Sequence, residues 1–171
     1  MKGYIQVYTG NGKGKTTAAL GLALRAAGAG LRVFIAQFVK GMPYSEHKAL
    51  ERFQDLITVR LFGRCCFIER EPQPEDIEAA RKGLEEVLAI VASGQYDVVI
   101  LDEANIATHF RLFSADDLLR VVDARPDHVE LVVTGRYAHP ALLERADLIT
   151  EMLEARHYYT KGVAARPGIE S

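Results

Sequence analysis

A glycine-rich stretch near the start of the sequence combines backbone amides, lysines and hydroxyl groups in a pattern suited to holding phosphate. Its residues are Thr9, Gly10, Asn11, Gly12, Lys13, Gly14, Lys15, Thr16 and Thr17. Glycines allow backbone N–H groups to point at an anion, and the N-terminus of a following helix adds partial positive charge. Lys15 adds a full positive charge, and the hydroxyl of Thr16 suits a Mg²⁺ ligand. The stretch therefore predicts a phosphate-binding loop, or P-loop.

The spacing of this loop departs from the common pattern, in which a glycine is followed by four residues, Gly, Lys and Ser or Thr. Counting back from Gly14, that first glycine would fall at Thr9, whereas the sequence has it one place later, at Gly10. An ordinary glycine-rich turn is the alternative interpretation. The context favours the P-loop, because an apolar strand precedes the turn and Lys15 and Thr16 stand where a helix begins.

Two acidic residues, Asp102 and Glu103, follow an apolar run at 98–101. In nucleotide-binding α/β sheets, ligands lie at the carboxyl ends of strands, and a carboxylate there can hold Mg²⁺ directly or through water. The alternative is an acidic strand end in solvent. Beside the P-loop, the pair predicts a metal site formed by Thr16 with Asp102 or Glu103. Arg136 closes a later strand, and the residues leave open whether it lies in the cleft or on a surface loop.

The elements that position these groups alternate between strands and helices. Apolar runs predict the strands, and a 3.6-residue spacing of apolar side chains predicts the helices. We expect strands at 3–8, 31–38, 57–62, 98–101, 129–134 and 148–153, helices at 16–27, 45–53, 75–92, from 114 and from 140, and an irregular stretch from 155. This alternation predicts a three-layer α/β fold, with a mostly parallel sheet covered by helices on both faces. We expect one P-loop (RecA-like) domain at 1–171, but the strand order does not follow from the sequence.

Composition limits the partners of the protein. Hydrophobic residues make up 49% and charged residues 26% of the chain, as in ordinary globular proteins. The net charge of −2 gives no broad basic field for nucleic acid. The two cysteines, Cys65 and Cys66, are adjacent, which disfavours a disulfide, and two cysteines cannot form a four-cysteine zinc site. Apolar stretches are too short to span a bilayer. We therefore expect a cytoplasmic protein without nucleic-acid or membrane partners.

Together, these segments resemble the P-loop-type ATP:corrinoid adenosyltransferases, which act on cob(I)yrinic acid diamide and cobalamin. The matching segments are 9–19, 37–41, 97–103, 134–136, 146–152 and 165–170. They run from the first strand to the last residues, so the resemblance covers nearly the whole chain. The shifted glycine at Gly10, which is unusual for a P-loop in general, is this family's own variant.

The resemblance implies a reaction in cobalamin biosynthesis. Cobalt(I) of a corrinoid attacks the ribose C5′ of ATP, inorganic triphosphate leaves, and a cobalt–carbon bond forms. Because cobalt(I) is already a strong nucleophile, the protein holds C5′ in line and stabilises the leaving group. Carried over by position, Asn11 to Thr17 grip the triphosphate, Lys15, Thr16 and Glu103 serve catalysis, and Arg136 lies near the nucleotide. Thr16 and an acid at Asp102 or Glu103 serve Mg²⁺.

One segment departs from the family. Bacterial members carry Gly-x-Gly-Phe-x-Trp after the third strand, and its aromatic residues help to keep cobalt four-coordinate. Here residues 63–68 read Gly-Arg-Cys-Cys-Phe-Ile, and the chain has no Trp. Phe67 is the candidate for the aromatic role, although packing of this segment against the sheet is an equal alternative. The resemblance also implies a corrinoid partner, an electron-donating flavoprotein or reductase, and a homodimer.

Two rival functions follow from the P-loop alone. A small-molecule kinase, such as a nucleoside kinase, would place an acceptor hydroxyl at the γ-phosphate and usually needs a basic lid. A non-catalytic ATP-binding switch would need neither. The products separate the three functions, because the transferase yields triphosphate, the kinase yields ADP, and the switch yields ADP and phosphate slowly or nothing.

Overall fold

The computed structural model describes residues 1–39, 45–63 and 72–170. In these ranges one sheet contains the strands β1 (Ile5–Thr9), β2 (Val33–Phe38), β3 (Ile57–Phe62), β4 (Val98–Asp102), β5 (Glu130–Thr134) and β6 (Leu148–Glu151). The strand order is β3-β2-β4-β5-β1-β6, and every neighbouring pair is parallel. The predicted strands are confirmed, with small shifts at their ends.

The helices alternate with these strands. They are α1 (Lys15–Gly28), α2 (Ser45–Leu50), α3 (Pro74–Ser93), α4 (Ala104–His109), α5 (Ala115–Asp123) and α6 (Pro140–Arg145), with short 3₁₀ turns at Glu51–Phe53 and Tyr158–Lys161. The sequence did not predict α4, which directly follows β4. The stretch from 155, predicted to be irregular, contains the second 3₁₀ turn.

Two apolar cores lie on opposite faces of the sheet, and β2 contributes to both. Val33 and Ile35 pack with the alanine face of α1, whereas Phe34 and Phe38 pack with residues of α3, α4, α5 and α6. A strand that is buried on both faces needs apolar residues throughout, so β2 does not alternate between apolar and polar residues. The predicted three-layer architecture is confirmed.

Local chemistry sets the ends of two helices. At α5, the hydroxyl of Ser114 accepts a hydrogen bond from the Asp117 backbone N–H at 3.1 Å, and the Asp117 carboxylate accepts one from the Ser114 N–H at 2.9 Å. This reciprocal capping pair is what the sequence predicts at residue 114. Gly94 ends α3 in the left-handed conformation, with φ of 62°.

The strand order brings three strand ends together at the site. Because β5 lies between β1 and β4 and all three are parallel, Thr9, Thr134 and Asp102 end these strands at one edge of the sheet. Only β5 separates β1 from β4. Thr16, at the start of α1, and Asp102 can therefore come into contact although they are far apart in the sequence.

A glycine in α3 provides a test of this packing. A Cβ atom at Gly83 would lie 2.5 Å from Cγ of Phe62, near the backbone end of that side chain, so that a simple rotation cannot relieve the overlap. We expect Gly83→Ala to lower the free energy of unfolding by about 1–3 kcal/mol through overpacking, measured by urea denaturation.

The matched control is Gly21→Ala in α1, where a Cβ atom would have no neighbour within 4 Å. Alanine should raise helix stability there by about 0.5–1 kcal/mol. If both variants were equally stable, the close packing of α3 on Phe62 would be wrong.

Candidate active site

The loop between β1 and α1 encloses its second lysine. The Lys15 side chain is buried, and its Nζ donates hydrogen bonds to the carbonyl oxygens of Gly10 and Gly12, both at 2.7 Å. Gly10 and Gly14 have φ angles of 90° and 117°, in the left-handed region that favours glycine. The glycines thus allow the loop to wrap around an ammonium group.

The loop also packs against the chain that leaves β6. The N–H of Gly12 donates to the carbonyl of Met152 at 2.7 Å, and the N–H of Met152 donates to the carbonyl of Thr9 at 2.9 Å. A Cβ atom at Gly10 or Gly12 would lie 2.4 or 2.7 Å from that Met152 oxygen. The close backbone contact therefore accounts for the glycine at the shifted position.

A buried carboxylate connects the loop to the strands beside it. Asp102 is 1% exposed and accepts hydrogen bonds from the hydroxyls of Thr16 and Thr134, at 2.9 and 2.7 Å, and from Nε2 of Gln37 at 2.9 Å. Buried carboxylates need such donors to offset lost hydration. Because the Thr16 hydroxyl donates its hydrogen to Asp102, its oxygen is oriented to accept or ligate on the other side.

Glu103 follows as the first residue beyond β4, with φ of 60°, and precedes α4. Its backbone N–H donates to the Thr134 hydroxyl at 3.1 Å. From α4, Asn105 donates from Nδ2 to the carbonyl of Gly135 at 3.1 Å, which holds the turn after β5 that carries Arg136 against this helix. The acidic residue and the arginine are thus fixed from two adjacent strand ends.

A cavity of about 960 Å³ lies over these groups, a volume in the range of small-molecule sites. Its polar walls come from the loop residues Asn11 to Thr17 and from Glu103 and Arg136, and its apolar walls include Leu20, Leu24, Ile106, Phe110 and Ile169. Of the predicted site residues that the structure describes, Thr9, Gly10 and Asp102 do not line this cavity. Phe67 lies outside the described residues, as do residues 40 and 41 of the segment matched at 37–41.

Burial has an electrostatic consequence at Lys15. Loss of hydration lowers the pKa of Lys15 from its ordinary value, the charge of Arg136 acts in the same direction, and the carboxylates of Glu103 and Asp102 oppose it. The charged form of this lysine is therefore disfavoured by its surroundings until an anion approaches. An anion bound beside Lys15 would favour the charged form again.

The comparison with known families decides between the rival functions. All of residues 1–171 match the family model described as ATP:corrinoid adenosyltransferase BtuR/CobO/CobP. The chain belongs to this family. The family found from the sequence is thereby confirmed, and a kinase or a passive ATP switch is not favoured.

Curated relatives agree with the family match. The chain is 34% identical over 170 residues to the corrinoid adenosyltransferase of Pseudomonas aeruginosa, covering 99% of this chain and 84% of the relative. It is 33% identical over 174 residues to that of Escherichia coli and 34% identical over 174 residues to the corrinoid adenosyltransferase CobA of Salmonella typhimurium. Each of these two alignments covers 99% of this chain and 86% of the relative. Membership of the family implies ATP and a corrinoid as the two reactants.

Several contacts in this candidate site were not predicted from the sequence. No role was expected for Gln37, Thr134 or His47, yet Gln37 and Thr134 bind Asp102, and Nε2 of His47 lies 2.5 Å from Oε1 of Gln37. These residues come from different elements and meet only through the strand order. A polar side chain inside an otherwise apolar strand, such as Gln37 in β2, is the signal that could have identified them.

Two features are absent from the described part of the chain. Within 1–39, 45–63 and 72–170, no cluster of three or more His, Cys, Asp and Glu side chains could hold a metal by itself. Among the same residues, no helix has both the length and the apolar character needed to cross a bilayer.

The contacts of Thr134 give a stability test of the site. In Thr134→Val, Asp102 loses a hydrogen-bond donor at a buried contact, and the Glu103 N–H loses its acceptor at a partly buried one. We expect the free energy of unfolding to fall by about 1–3 kcal/mol, measured by urea denaturation.

The same substitution at Thr150, on the exposed strand β6, serves as control. We expect a change within about 0.5 kcal/mol there. Equal effects at the two positions would contradict a structural role for the Thr134 hydroxyl.

Proposed function

We propose that this chain transfers the 5′-deoxyadenosyl group of ATP to cobalt(I) of a corrinoid, with the triphosphate held by the loop Asn11 to Thr17. The proposal rests chiefly on one observation, the loop wrapped around Lys15 beneath a cavity of about 960 Å³. The family match over the whole chain supports the same reaction.

The reaction needs little acid–base chemistry from the protein. Cobalt(I) supplies the electron pair of the new cobalt–carbon bond, and the bond from C5′ to the triphosphate oxygen breaks with its pair on oxygen. Negative charge therefore grows on the triphosphate. Groups already oriented toward that charge lower the barrier most, because they need no reorganisation during the reaction. The loop amides, Lys15 and Arg136 are the groups that we assign to this task.

Lys15 is suited to respond to the bound anion. Its ammonium group is held by the carbonyls of Gly10 and Gly12 and has lost much of its hydration. A triphosphate above the loop would add opposite charge beside this ammonium group, and charge-assisted hydrogen bonds of this type are stronger than neutral ones. We assign Lys15 to binding the triphosphate and stabilising it as it leaves.

The arrangement also fits Mg²⁺, which typically binds one or two protein oxygen ligands together with substrate phosphates and water. Thr16 and Glu103 both line the cavity, and the Thr16 oxygen is oriented by its bond to Asp102. We therefore assign Thr16 and Glu103 as direct ligands and buried Asp102 as the residue that orients Thr16. When bound, the cation would neutralise part of the triphosphate charge.

Cobalt(I) must be produced by reduction, so an electron-donating flavoprotein or reductase is the proposed partner. A homodimer is also proposed. Its support is the apolar surface of the edge strand β6, where Leu148 and Ile149 are 44% and 50% exposed. Light scattering of the purified protein would test the dimer, and a monomeric mass would exclude it. Location in the cytoplasm stays a prediction.

The decisive experiment is anaerobic incubation of the protein with ATP, Mg²⁺ and chemically reduced cob(I)alamin. We expect light-sensitive adenosylcobalamin and stoichiometric triphosphate. In Lys15→Ala, turnover should fall by at least about 100-fold, as for loss of one preorganised charge-stabilising group. The matched control Lys82→Ala removes an exposed lysine on α3 and should leave turnover unchanged.

ADP as the product would instead indicate a kinase. Intact ATP binding without any adenosylcobalamin would reject the proposed reaction. Normal turnover in Lys15→Ala would leave the reaction standing but contradict the role of this lysine.

A second experiment addresses the metal assignment. Glu103→Gln keeps the shape of the side chain but removes its charge, so we expect the Mg²⁺ concentration for half-maximal turnover to rise by about tenfold or more, with recovery at high Mg²⁺. The exposed Glu144 on α6 provides the control variant Glu144→Gln. An unchanged Mg²⁺ dependence of Glu103→Gln would exclude Glu103 as a ligand.

A further inference from the structure

The last described segment of the chain, residues 157–170, returns to the P-loop and converges on Lys13. Nζ of Lys13 lies 3.1 Å from the Tyr158 hydroxyl, 3.0 Å from the Ile169 carbonyl oxygen and 2.9 Å from the Glu170 carboxylate. An ammonium group has three N–H donors, and these three acceptors use all of them. Lys13, expected from the sequence to grip triphosphate, is therefore fully engaged by this segment.

Glu170 is in turn held by its own segment. Its carboxylate accepts hydrogen bonds from the Arg166 backbone N–H at 2.9 Å and from the Arg166 guanidinium at 3.1 and 3.3 Å. The Tyr158 hydroxyl, which accepts from Lys13, donates to the same carboxylate. We call the four residues Lys13, Tyr158, Arg166 and Glu170 the tail clamp.

Both ionic partners in the tail clamp stay charged over a wide pH range. Bonds from Arg166, then from Tyr158 and Lys13, hold the pKa of the Glu170 carboxyl far below its usual range. The bond to Glu170 raises the pKa of Lys13. A carboxyl group with a lowered pKa stabilises the folded state at pH values above its pKa in the unfolded chain. A lysine with a raised pKa stabilises the folded state at pH values below its pKa in the unfolded chain. Both members of the Lys13–Glu170 pair are therefore charged throughout the neutral range.

The tail clamp also keeps a positive charge near the loop. Two cations, Lys13 and Arg166, share one carboxylate, which leaves a net charge of +1. Both cations also lie near the ring of Tyr158, whose centroid is 5.8 Å from Nζ of Lys13 and 5.1 Å from the guanidinium carbon of Arg166. Lys13 can thus contribute to the field at the phosphate site without touching a phosphate.

The segment forms one wall of the cavity. His157, Gly168, Ile169 and Glu170 line it together with Lys15 and Thr16. Little apolar burial holds this wall, since among residues 157–170 all but His157, Tyr158 and Glu170 are exposed. A segment with few buried contacts opens easily unless specific polar contacts hold it. Two of the three shielded residues belong to the tail clamp.

We propose that Glu170 is a positioning residue of the nucleotide site, which fixes the 157–170 wall to the P-loop by holding Lys13, so that Lys13 anchors the wall instead of binding phosphate directly. This proposal rests on the proposed function, because it takes the cavity to be the ATP site. Glu170 acts through the position of the wall and of Lys13, and the transferred group does not contact it in this assignment.

The test compares Glu170→Gln with Glu154→Gln, an exposed glutamate that precedes the segment and does not line the cavity. With Mg²⁺ and ATP as the probe, calorimetry of Glu170→Gln should show about tenfold weaker binding, as for loss of one charge-assisted contact. KM for ATP should rise by a similar factor while kcat changes little. Hydrogen exchange should rise in residues 157–170. Glu154→Gln should match the unaltered protein in all three measurements.

A double-mutant cycle tests the anchoring role of Lys13. If Lys13 and Glu170 act through one another, the double variant Lys13→Met, Glu170→Gln should have the same ATP affinity as the single variant that binds ATP more weakly. Additive losses would assign Lys13 a phosphate contact of its own and overturn the proposal. Unchanged ATP binding by Glu170→Gln would also overturn the proposal. Tighter binding would overturn it as well, because it would show that the carboxylate competes with the triphosphate.

The outcomes separate this inference from the proposed function. The assignment of the nucleotide site fails if the unaltered protein does not bind ATP. It also fails if the variant Lys15→Ala binds ATP as tightly as the unaltered protein. If Lys15→Ala abolishes binding and Glu170→Gln has no effect, only the positioning role of Glu170 fails.

Discussion

The buried carboxylate of Asp102 is the contact on which the geometry of the site depends. It accepts hydrogen bonds from α1 through Thr16, from β5 through Thr134 and from β2 through Gln37. Loss of the carboxylate would leave several buried donors without an acceptor, which costs more than the hydrogen bonds themselves contribute. The network therefore enforces one relative position of the first helix and the strand ends. Glu103 is the next residue after Asp102, which ends β4.

The second constraint is the close approach of two backbones. The P-loop shares hydrogen bonds with the chain beyond β6, and the Met152 carbonyl occupies the space that side chains at 10 and 12 would need. The glycine at Gly10 therefore follows from the position of β6 beside β1. This close approach gives a physical reason for glycine at position 10 in this chain.

Local patterns predicted most of the fold, because apolar runs and helix caps act over a few residues. The order of the strands could not be predicted, since it depends on contacts between residues such as Gln6 and Val132 that lie far apart in the sequence. The short helix α4 was missed because six residues give too little periodicity. The same limit applied to the site. The loop and the acidic pair were found from their own spacing, but Gln37 and Thr134 have a role only once β2, β4 and β5 are neighbours.

The irregular stretch from 155 shows a different limit of sequence reasoning. Its donors and aromatic residues were evident, but the partner of Glu170 is Lys13, at the opposite end of the sequence. Polar contacts of this kind have no periodicity, because each depends on a single pair of side chains. A segment with little apolar burial can still be positioned accurately when one ion pair is satisfied on all sides, as the carboxylate of Glu170 is by Arg166, Tyr158 and Lys13.

The two lysines of the P-loop consequently have opposite environments although one residue separates them. Burial lowers the pKa of Lys15, whereas the bond to Glu170 raises the pKa of Lys13. The charge of Lys13 is compensated by protein, so it can hold a wall in place whether or not nucleotide is bound. Lys15 instead donates to the neutral carbonyl groups of Gly10 and Gly12, so in the proposed function a bound triphosphate would further favour its charged form. In the proposed function, this division would allow the loop to keep its shape while the ammonium group of Lys15 stabilises the charge that develops on the leaving group.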